Sequence, residues 1–167
     1  MPTALWGTTD QVAKRFNARD LARSSGHSGM GTTQAGNPMQ FACREATLSE
    51  VATREAFSHM NEGAEQLAAG LSHAIAVPVL PWHVIRVDAI VEFICAPETL
   101  LDGASASTAH HPALKGAVHL GLSNRGCLIA PFHNMMRVSP VTTSGQIDRL
   151  VVAFASVLSE LNGDAHA

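Results

Sequence analysis

Two long segments of the chain carry hydrophobic side chains at the spacing of a helix. The first begins near Thr53 and ends before Pro78, and the second runs from Thr143 to Asn162-Gly163. Because positions three and four apart share one face of a helix, each segment is predicted to bury one face. The repeating positions are Phe57, Met60, Ala64, Leu67, Ala68, Leu71 and Ile75 in the first helix, and Ile147, Leu150, Val151, Phe154, Val157, Leu158 and Leu161 in the second.

The segment 84–95 alternates instead, which is the pattern of a half-buried strand, or of two strands joined by a bend. One face is predicted to hold Ile85, Val87, Ala89, Val91, Phe93 and Cys95. The other is predicted to hold Arg86, Asp88 and Glu92 among Val84, Ile90 and Ile94.

Terminal residues mark the shorter elements. Asn37-Pro38 supplies an N-cap and a first-turn proline for a helix over 38–51, and Pro112 opens a helix that Asn124-Arg125-Gly126 closes. The other assignments are one or two helical turns at 10–16, a loop at 97–111, short strands at 127–130 and 135–138, and a capping box of Thr143 and Gln146. This order predicts an α+β layer, a small and mostly antiparallel sheet backed by helices.

Composition narrows the class of protein. The 167 residues are 46% hydrophobic and 15% charged, with a net charge of -3, so nothing favours a nucleic acid or an acidic membrane as partner. No apolar run reaches the length of a membrane span, and the first residues lack the pattern of a signal peptide. The three widely spaced cysteines are typical of reduced thiols, and the sequence therefore predicts a cytoplasmic protein.

The motifs of familiar chemistry are few. The nine histidines form no HExxH pattern and the cysteines no CxxC pattern, so no metal site is predicted. The stretch Gly31-Thr32-Thr33 precedes a helix N-terminus, where backbone N–H groups and hydroxyls can bind a phosphate. A plain flexible loop explains the same glycines and threonines, and both interpretations stay open.

Arg137 stands in the apolar strand pattern Met135-Met136-Arg137-Val138. A guanidinium buried there would require an anion beside it, because an unpaired charge is costly to remove from water. The alternative is an arginine on the solvent side of an edge strand.

Several segments together resemble one family, the class III aminotransferases that use pyridoxal phosphate (PLP). They are MPTALWGTTDQVAKRF at 1–16, TTQAGNP at 32–38, PWHVIRVDAIVE at 81–92 and NRGCLIAPFHNMMRVSPVTT at 124–143, followed by Asp148-Arg149. The last long segment is the most specific, and it resembles the branch of glutamate-1-semialdehyde aminomutases and β-amino-acid transaminases. The resemblance runs in order along nearly the whole chain.

The resemblance implies that the chain is the C-terminal part of a fold-type I PLP transferase. Such an enzyme would be a cytoplasmic dimer with active sites at the interface. Residues 1–50 would be the tail of the large α/β domain, and residues 51–167 the small α+β domain. Thr33, with Thr32 in place of the usual glycine, matches the family's contact to the PLP phosphate of the partner subunit. Arg137 matches the arginine that holds the substrate carboxylate in many class III enzymes, although many members of the semialdehyde branch lack it.

The family's cofactor-binding lysine has no counterpart among these residues. The chain has two lysines, Lys14 and Lys115, and neither stands at the matching position. We therefore assign no catalytic residue and expect this chain to form no covalent PLP adduct alone.

Four interpretations stay open. The first is a truncated or split enzyme that transfers an amino group between an amino acid and a keto acid, with an aminomutase-like activity as its variant. The others are a non-catalytic remnant, an interaction subunit that docks on a full-length homologue, and an unrelated ligand-binding domain. In the first, the partner is a large-domain chain or a second copy. By the resemblance, residues 1–50 would belong to a larger sheet and a dimer interface. Without those neighbours they are expected to leave exposed apolar surface or an unpaired strand edge, with self-association or poor order as the result.

Overall fold

The computed structural model describes residues 6–22, 36–130 and 134–163. They fall into two compact units, Met1–Thr53 and Arg54–Ala167. In the first unit, α1 spans Asp10–Leu21, longer than the predicted one or two turns at 10–16. Its N-terminus is capped by Thr9, whose Oγ1 accepts a hydrogen bond from the amide of Val12. No described helix is long and apolar enough to cross a membrane.

The second helix begins where the sequence predicts. Helix α2 spans Pro38–Ala46, and the Asn37 side chain accepts hydrogen bonds from the amides of Met39 and Gln40. The helix then widens into a π-helical segment, Thr47–Val51. There the hydroxyls of Thr47 and Ser49 donate to carbonyls four residues earlier, a contact that bends helices.

The second unit is a three-stranded antiparallel sheet packed with helices, as the sequence predicts. Its order is β1-β2-β3, so β2 is the middle strand. The elements are α3 Arg54–Ala76, β1 His83–Val87, β2 Ile90–Ile94, α4 Gly103–Thr108, α5 Pro112–Asn124, β3 Met135–Arg137 and α6 Ser144–Gly163. The capping box of α6 is confirmed, since the Thr143 amide donates to Gln146 Oε1 and the Gln146 amide to Thr143 Oγ1.

Both predicted helical stripes enter one core between α3, α6 and the sheet. Phe93 of β2 contacts Trp82 on one side and Phe154 of α6 on the other, with ring centroids 6.0 and 4.9 Å away. The prediction that Phe57 is buried is wrong, because this side chain of the first turn of α3 is half exposed. The largest fully buried side chains are Phe93, Phe154, Leu71, Leu122, Leu158, Val91 and Val118.

The predicted face of segment 84–95 is right for Val91, Phe93 and Cys95, which are buried, but wrong for Ile85 and Val87, and the bend is the reason. A tight turn at Asp88 and Ala89 folds the segment into a hairpin in which Val84 pairs with Phe93. Because paired residues share a face, Ile85 and Val87 lie on the face opposite to Phe93. Asp88 adopts a φ of 49°, in the left-handed region that Asp tolerates better than most residues.

Two further predictions need correction. The segment 97–111 contains α4, which begins at a capping box formed by Asp102 and Ser105. Residues 127–130 belong to no strand, because the described sheet comprises only β1, β2 and β3. The predicted close of α5 is confirmed: Gly126 has a φ of 72°, and the Cys127 amide bonds back to the Leu122 carbonyl.

Candidate functional site

The two threonines predicted to contact a phosphate, Thr32 and Thr33, lie outside the described residues. Arg137 is described, and it is the last residue of β3, an edge strand that pairs with β2. Its neighbour Met136 points into the core, so Arg137 points to the opposite face of the sheet, beside its pair Ile90. The side chain is exposed, and no hydrogen bond or ion pair joins it to another described residue.

Arg137 lines a cleft of about 790 Å³ between β3, the chain after α5 and the start of α6. Among the described residues no carboxylate lines it, and the polar side chains are those of Arg137, Arg149, Thr142 and Gln146, besides Cys127. The apolar lining comprises Leu67, Leu128, Ile129, Ala130, Met135, Met136, Val138, Ile147 and Leu150. The cleft therefore combines two positive charges with a mostly apolar wall, an arrangement that suits an anion with an apolar body.

A second cleft of about 470 Å³ lies between β2, α4 and α5. Lys115, His110, His111 and Glu92 line it, together with Cys95, whose thiol is nearly buried. Burial raises the pKa of the Cys95 thiol to about 11, an effect that the hydrogen bond from the Asn134 amide only partly offsets. Among the described residues, no group of three metal-ligating side chains forms a metal site.

The described residues alone do not fit PLP. A PLP enzyme holds the cofactor through a lysine amine close to the substrate. Lys14 is exposed on α1, and Lys115 lines the cleft of His110 and His111 rather than the cleft of Arg137. No described lysine therefore stands in the same cleft as the guanidinium predicted to bind the carboxylate.

Sequence reasoning missed Arg149 as a member of this cleft. Its guanidinium lies against the end of α5, with Nη2 3.5 Å from the Arg125 carbonyl oxygen. The adjacent Asp148 is turned away and accepts a hydrogen bond from Gln66 Nε2 at 2.7 Å. No local pattern could have shown this, because the cleft assembles residues 126–130, 135–138 and 142–150 only after folding.

Comparison with known sequences finds two curated relatives, and no family model matches the chain. Glutamate-1-semialdehyde 2,1-aminomutase from Desulfosudis oleivorans is 28% identical over 162 residues, which are 96% of this chain and 36% of the relative. The protein of the same name from Paracidovorax citrulli is 29% identical over 126 residues, covering 75% of this chain and 29% of the relative. The chain thus spans about a third of the length of these relatives.

Solved structures also match most of this chain. The chain superposes on a glutamate-1-semialdehyde aminomutase from Pseudomonas aeruginosa PAO1 with a TM-score of 0.86 and 35% identity, over 93% of this chain and 35% of that one. A β-phenylalanine aminotransferase from Variovorax paradoxus gives a TM-score of 0.76 at 23% identity, over 92% and 34%. At its lower identity, the second match shows a common fold.

Proposed function

We propose that this chain supplies the wall of the active site that binds the substrate carboxylate. The chain belongs to the class III PLP-dependent aminotransferases as a C-terminal portion. The activity would be transfer of an amino group between an amino acid and a keto acid. The observation that carries the proposal is the exposed guanidinium of Arg137. It has no partner among the described residues, and it lines a cleft to which these residues contribute no acidic side chain.

The chemistry of the side chain supports this role. A guanidinium offers N–H groups in a planar fork that matches the two oxygens of a carboxylate, and it stays charged at every working pH. The apolar wall of the cleft would contact the carbon skeleton of a substrate whose carboxylate is bound to Arg137. In the part of the chain that the structure describes, no carboxylate of the cleft competes for the guanidinium.

The cofactor would be completed by polypeptide outside these residues. PLP, when bound, supplies the electron sink that amino transfer needs. We propose that the lysine comes from a large-domain polypeptide, and that Thr32 and Thr33 offer hydroxyl and amide donors to the PLP phosphate across a dimer interface. Arg137 would hold and orient the substrate by its carboxylate.

A second candidate is an activity like that of glutamate-1-semialdehyde 2,1-aminomutase. It is favoured by the Pseudomonas aeruginosa structure, which is 35% identical and carries that name. Arg137 favours amino-acid transamination, because by resemblance many members of the aminomutase branch lack an arginine at this position. The two candidates differ in whether an added keto acid is needed to accept the amino group.

The test is reconstitution. The 167-residue chain is mixed with a polypeptide that carries the N-terminal two-thirds of the Pseudomonas aeruginosa relative, and PLP-dependent amino transfer is measured with and without a keto acid. We expect transfer that depends on the keto acid and falls about tenfold to a hundredfold in Arg137→Gln, with partial recovery in Arg137→Lys.

Activity without a keto acid would favour the aminomutase. Association without activity would favour an interaction subunit. A PLP-loaded, active complex that Arg137→Gln leaves unchanged would exclude the proposed role of Arg137.

A further inference from the structure

The second cleft, of about 470 Å³ between β2, α4 and α5, shares no described lining residue with the cleft of Arg137. Strand β2 contributes Glu92 and Ile94, which lie two positions apart and therefore on one face of the strand. Helix α5 contributes Lys115 from its first turn. The proposed function uses none of these side chains, so this cleft is a separate candidate site.

Glu92 and Lys115 bring opposite charges into this cleft without pairing with each other. Both side chains are half-buried, and within the described ranges neither forms an ion pair or a hydrogen bond. A partly buried charge without a partner is costly, and a group of opposite charge on a ligand removes that cost. One molecule that carries both an ammonium and a carboxylate would satisfy the two side chains together.

The α5 end of the cleft suits the carboxylate. The side chain of His111, the N-cap residue of α5, caps no backbone amide. The amides of Ala113 and Leu114 have no partner within the helix, because the first turn of a helix leaves its N–H groups unpaired. The positive end of the helix dipole therefore acts in the same direction as the Lys115 ammonium.

The β2 end of the cleft suits the ammonium group. Asn134 lines the cleft, and its Nδ2 donates to the Phe93 carbonyl oxygen at 3.2 Å. Because a carbonyl only accepts, this bond fixes the orientation of the side-chain amide. Asn134 Oδ1 is buried and has no hydrogen-bond partner in the described part of the chain. An unpaired buried acceptor requires a donor, and an ammonium has three N–H groups to share between Oδ1 and the Glu92 carboxylate.

We propose that this cleft binds a zwitterionic amino acid with an apolar side chain. Its ammonium would contact Glu92 and Asn134, and its carboxylate would contact Lys115 and the first turn of α5. The volume of about 470 Å³ is in the range of small-molecule sites. The apolar side chain would contact the apolar lining of the cleft, which comprises Ile94, Leu100, Ala106 and Ala109.

The experiment compares L-leucine with two analogues that each lack one of its charges. The first, 4-methylpentanoate, lacks the ammonium, and the second, 3-methylbutylamine, lacks the carboxylate. Each is titrated into the isotope-labelled 167-residue chain, and dissociation constants are taken from the amide chemical shifts of Leu100, Ser107 and Lys115. We expect leucine to bind about tenfold more tightly than either analogue, the gain from one additional charged hydrogen-bonded contact.

Two variants assign the charges. Glu92→Gln should bring leucine to the affinity of 4-methylpentanoate, and Lys115→Gln should bring it to the affinity of 3-methylbutylamine. Unchanged binding of 4-methylpentanoate by Glu92→Gln would show at the same time that this variant is folded. The matched controls are Glu65→Gln and Lys14→Gln, which remove the same charges from exposed side chains outside the cleft and should keep the preference for leucine.

Three results would overturn the inference. The first is leucine binding that is absent at millimolar concentration or no tighter than that of the analogues. The second is the same leucine affinity in Glu92→Gln as in Glu65→Gln. The third is a set of leucine-induced shifts confined to the cleft of Arg137. None of these results bears on the role of Arg137, which the reconstitution tests separately.

Discussion

Phe93 of the middle strand and Phe154 of the last helix pack with ring centroids 4.9 Å apart and an angle of 52° between the rings. Both side chains are fully buried, and the contact joins the sheet to α6. Arg137, which we propose to bind a carboxylate, lies on a strand of that sheet, and Arg149 lies on α6. The same contact therefore fixes the relative position of the two arginines of the cleft.

Phe154→Ala should destabilise the second unit by about 3–5 kcal/mol, because it removes a buried ring and leaves a cavity beside Phe93. The measurement is the free energy of unfolding in urea, followed by circular dichroism. Val152→Ala on the same helix is the matched control: Val152 is 70% exposed, and its truncation should change stability by no more than about 0.5 kcal/mol. Equal effects of the two variants would contradict the packing described here.

Gly121 lets α5 approach α6 closely. A Cβ atom at this position would stand 2.7 Å from a methyl group of Val157, a distance so short that the Val157 side chain or the helices must shift. We expect Gly121→Ala to cost about 1–3 kcal/mol through overpacking. Gly116, on the same helix, has open space where a Cβ would stand, so Gly116→Ala should stabilise by about 0.5–1 kcal/mol through helix propensity.

The measurement is again the free energy of unfolding in urea, which should fall in Gly121→Ala and rise in Gly116→Ala. Val157→Ala should restore part of the stability lost in Gly121→Ala, because it removes the methyl group that the new Cβ meets. Additive effects of the two substitutions would show that the contact between Gly121 and Val157 does not limit the approach of the helices.

The sequence was a good guide to helices and a poor guide to the cleft, for physical reasons that particular residues illustrate. The stripe containing Phe154 is a local periodic signal, and the Asn37 cap is a local chemical one. The face of Ile85 depends instead on the turn at Asp88 and Ala89, which reverses the chain and exchanges the two faces of the strand. Helix α4 carried a local signal that was overlooked, Asp102 three residues before Ser105.

Residues that meet only after folding gave no such signal. Arg149 was visible as a helix residue, but nothing local indicates that Asp148 turns to Gln66 and leaves Arg149 beside the Arg137 cleft. The role of Arg137 was predicted from the resemblance to a family. Its place on β3, its exposure and the cleft that it lines are known only from the folded structure. The roles of Thr32 and Thr33 stay predictions.

The Cys95 thiol should make the second unit sensitive to alkali. Burial raises its pKa from 9.0 to about 11, so the folded state holds the thiol proton more tightly than the unfolded state does. The stabilisation is therefore fully present below about pH 9 and is lost as the pH rises from about 9 through 11. The measurement is the free energy of unfolding across that range.

Cys95→Ala should lose this alkaline decline, whereas Cys127→Ala keeps the Cys95 thiol and should retain it. The ionisation can also be followed directly by the ultraviolet absorbance of the thiolate, because the chain contains no tyrosine whose ionisation would overlap it. A Cys95 thiol that ionises near its ordinary pKa in the folded protein would contradict the prediction.

The first unit should drive self-association of the 167-residue chain. Met39, Phe41, Leu48 and Val51 are each between 41% and 60% exposed in the short segment of α2 and the π-helical turn. Apolar surface concentrated in this way favours contact with another polypeptide. Light scattering over a range of concentrations should therefore give a mass above that of the monomer, which is 17.6 kDa.

The double substitution Leu48→Lys and Val51→Lys should shift this equilibrium toward monomer by about tenfold or more, because an association that buried the two lysines would have to remove their charges from water. The matched control is the double substitution Val77→Lys and Val79→Lys, which adds the same charge at exposed valines of the second unit. If both variants dissociate the chain equally, net charge rather than the α2 surface governs association. A compact monomer for the unmodified chain at every concentration would refute the prediction outright.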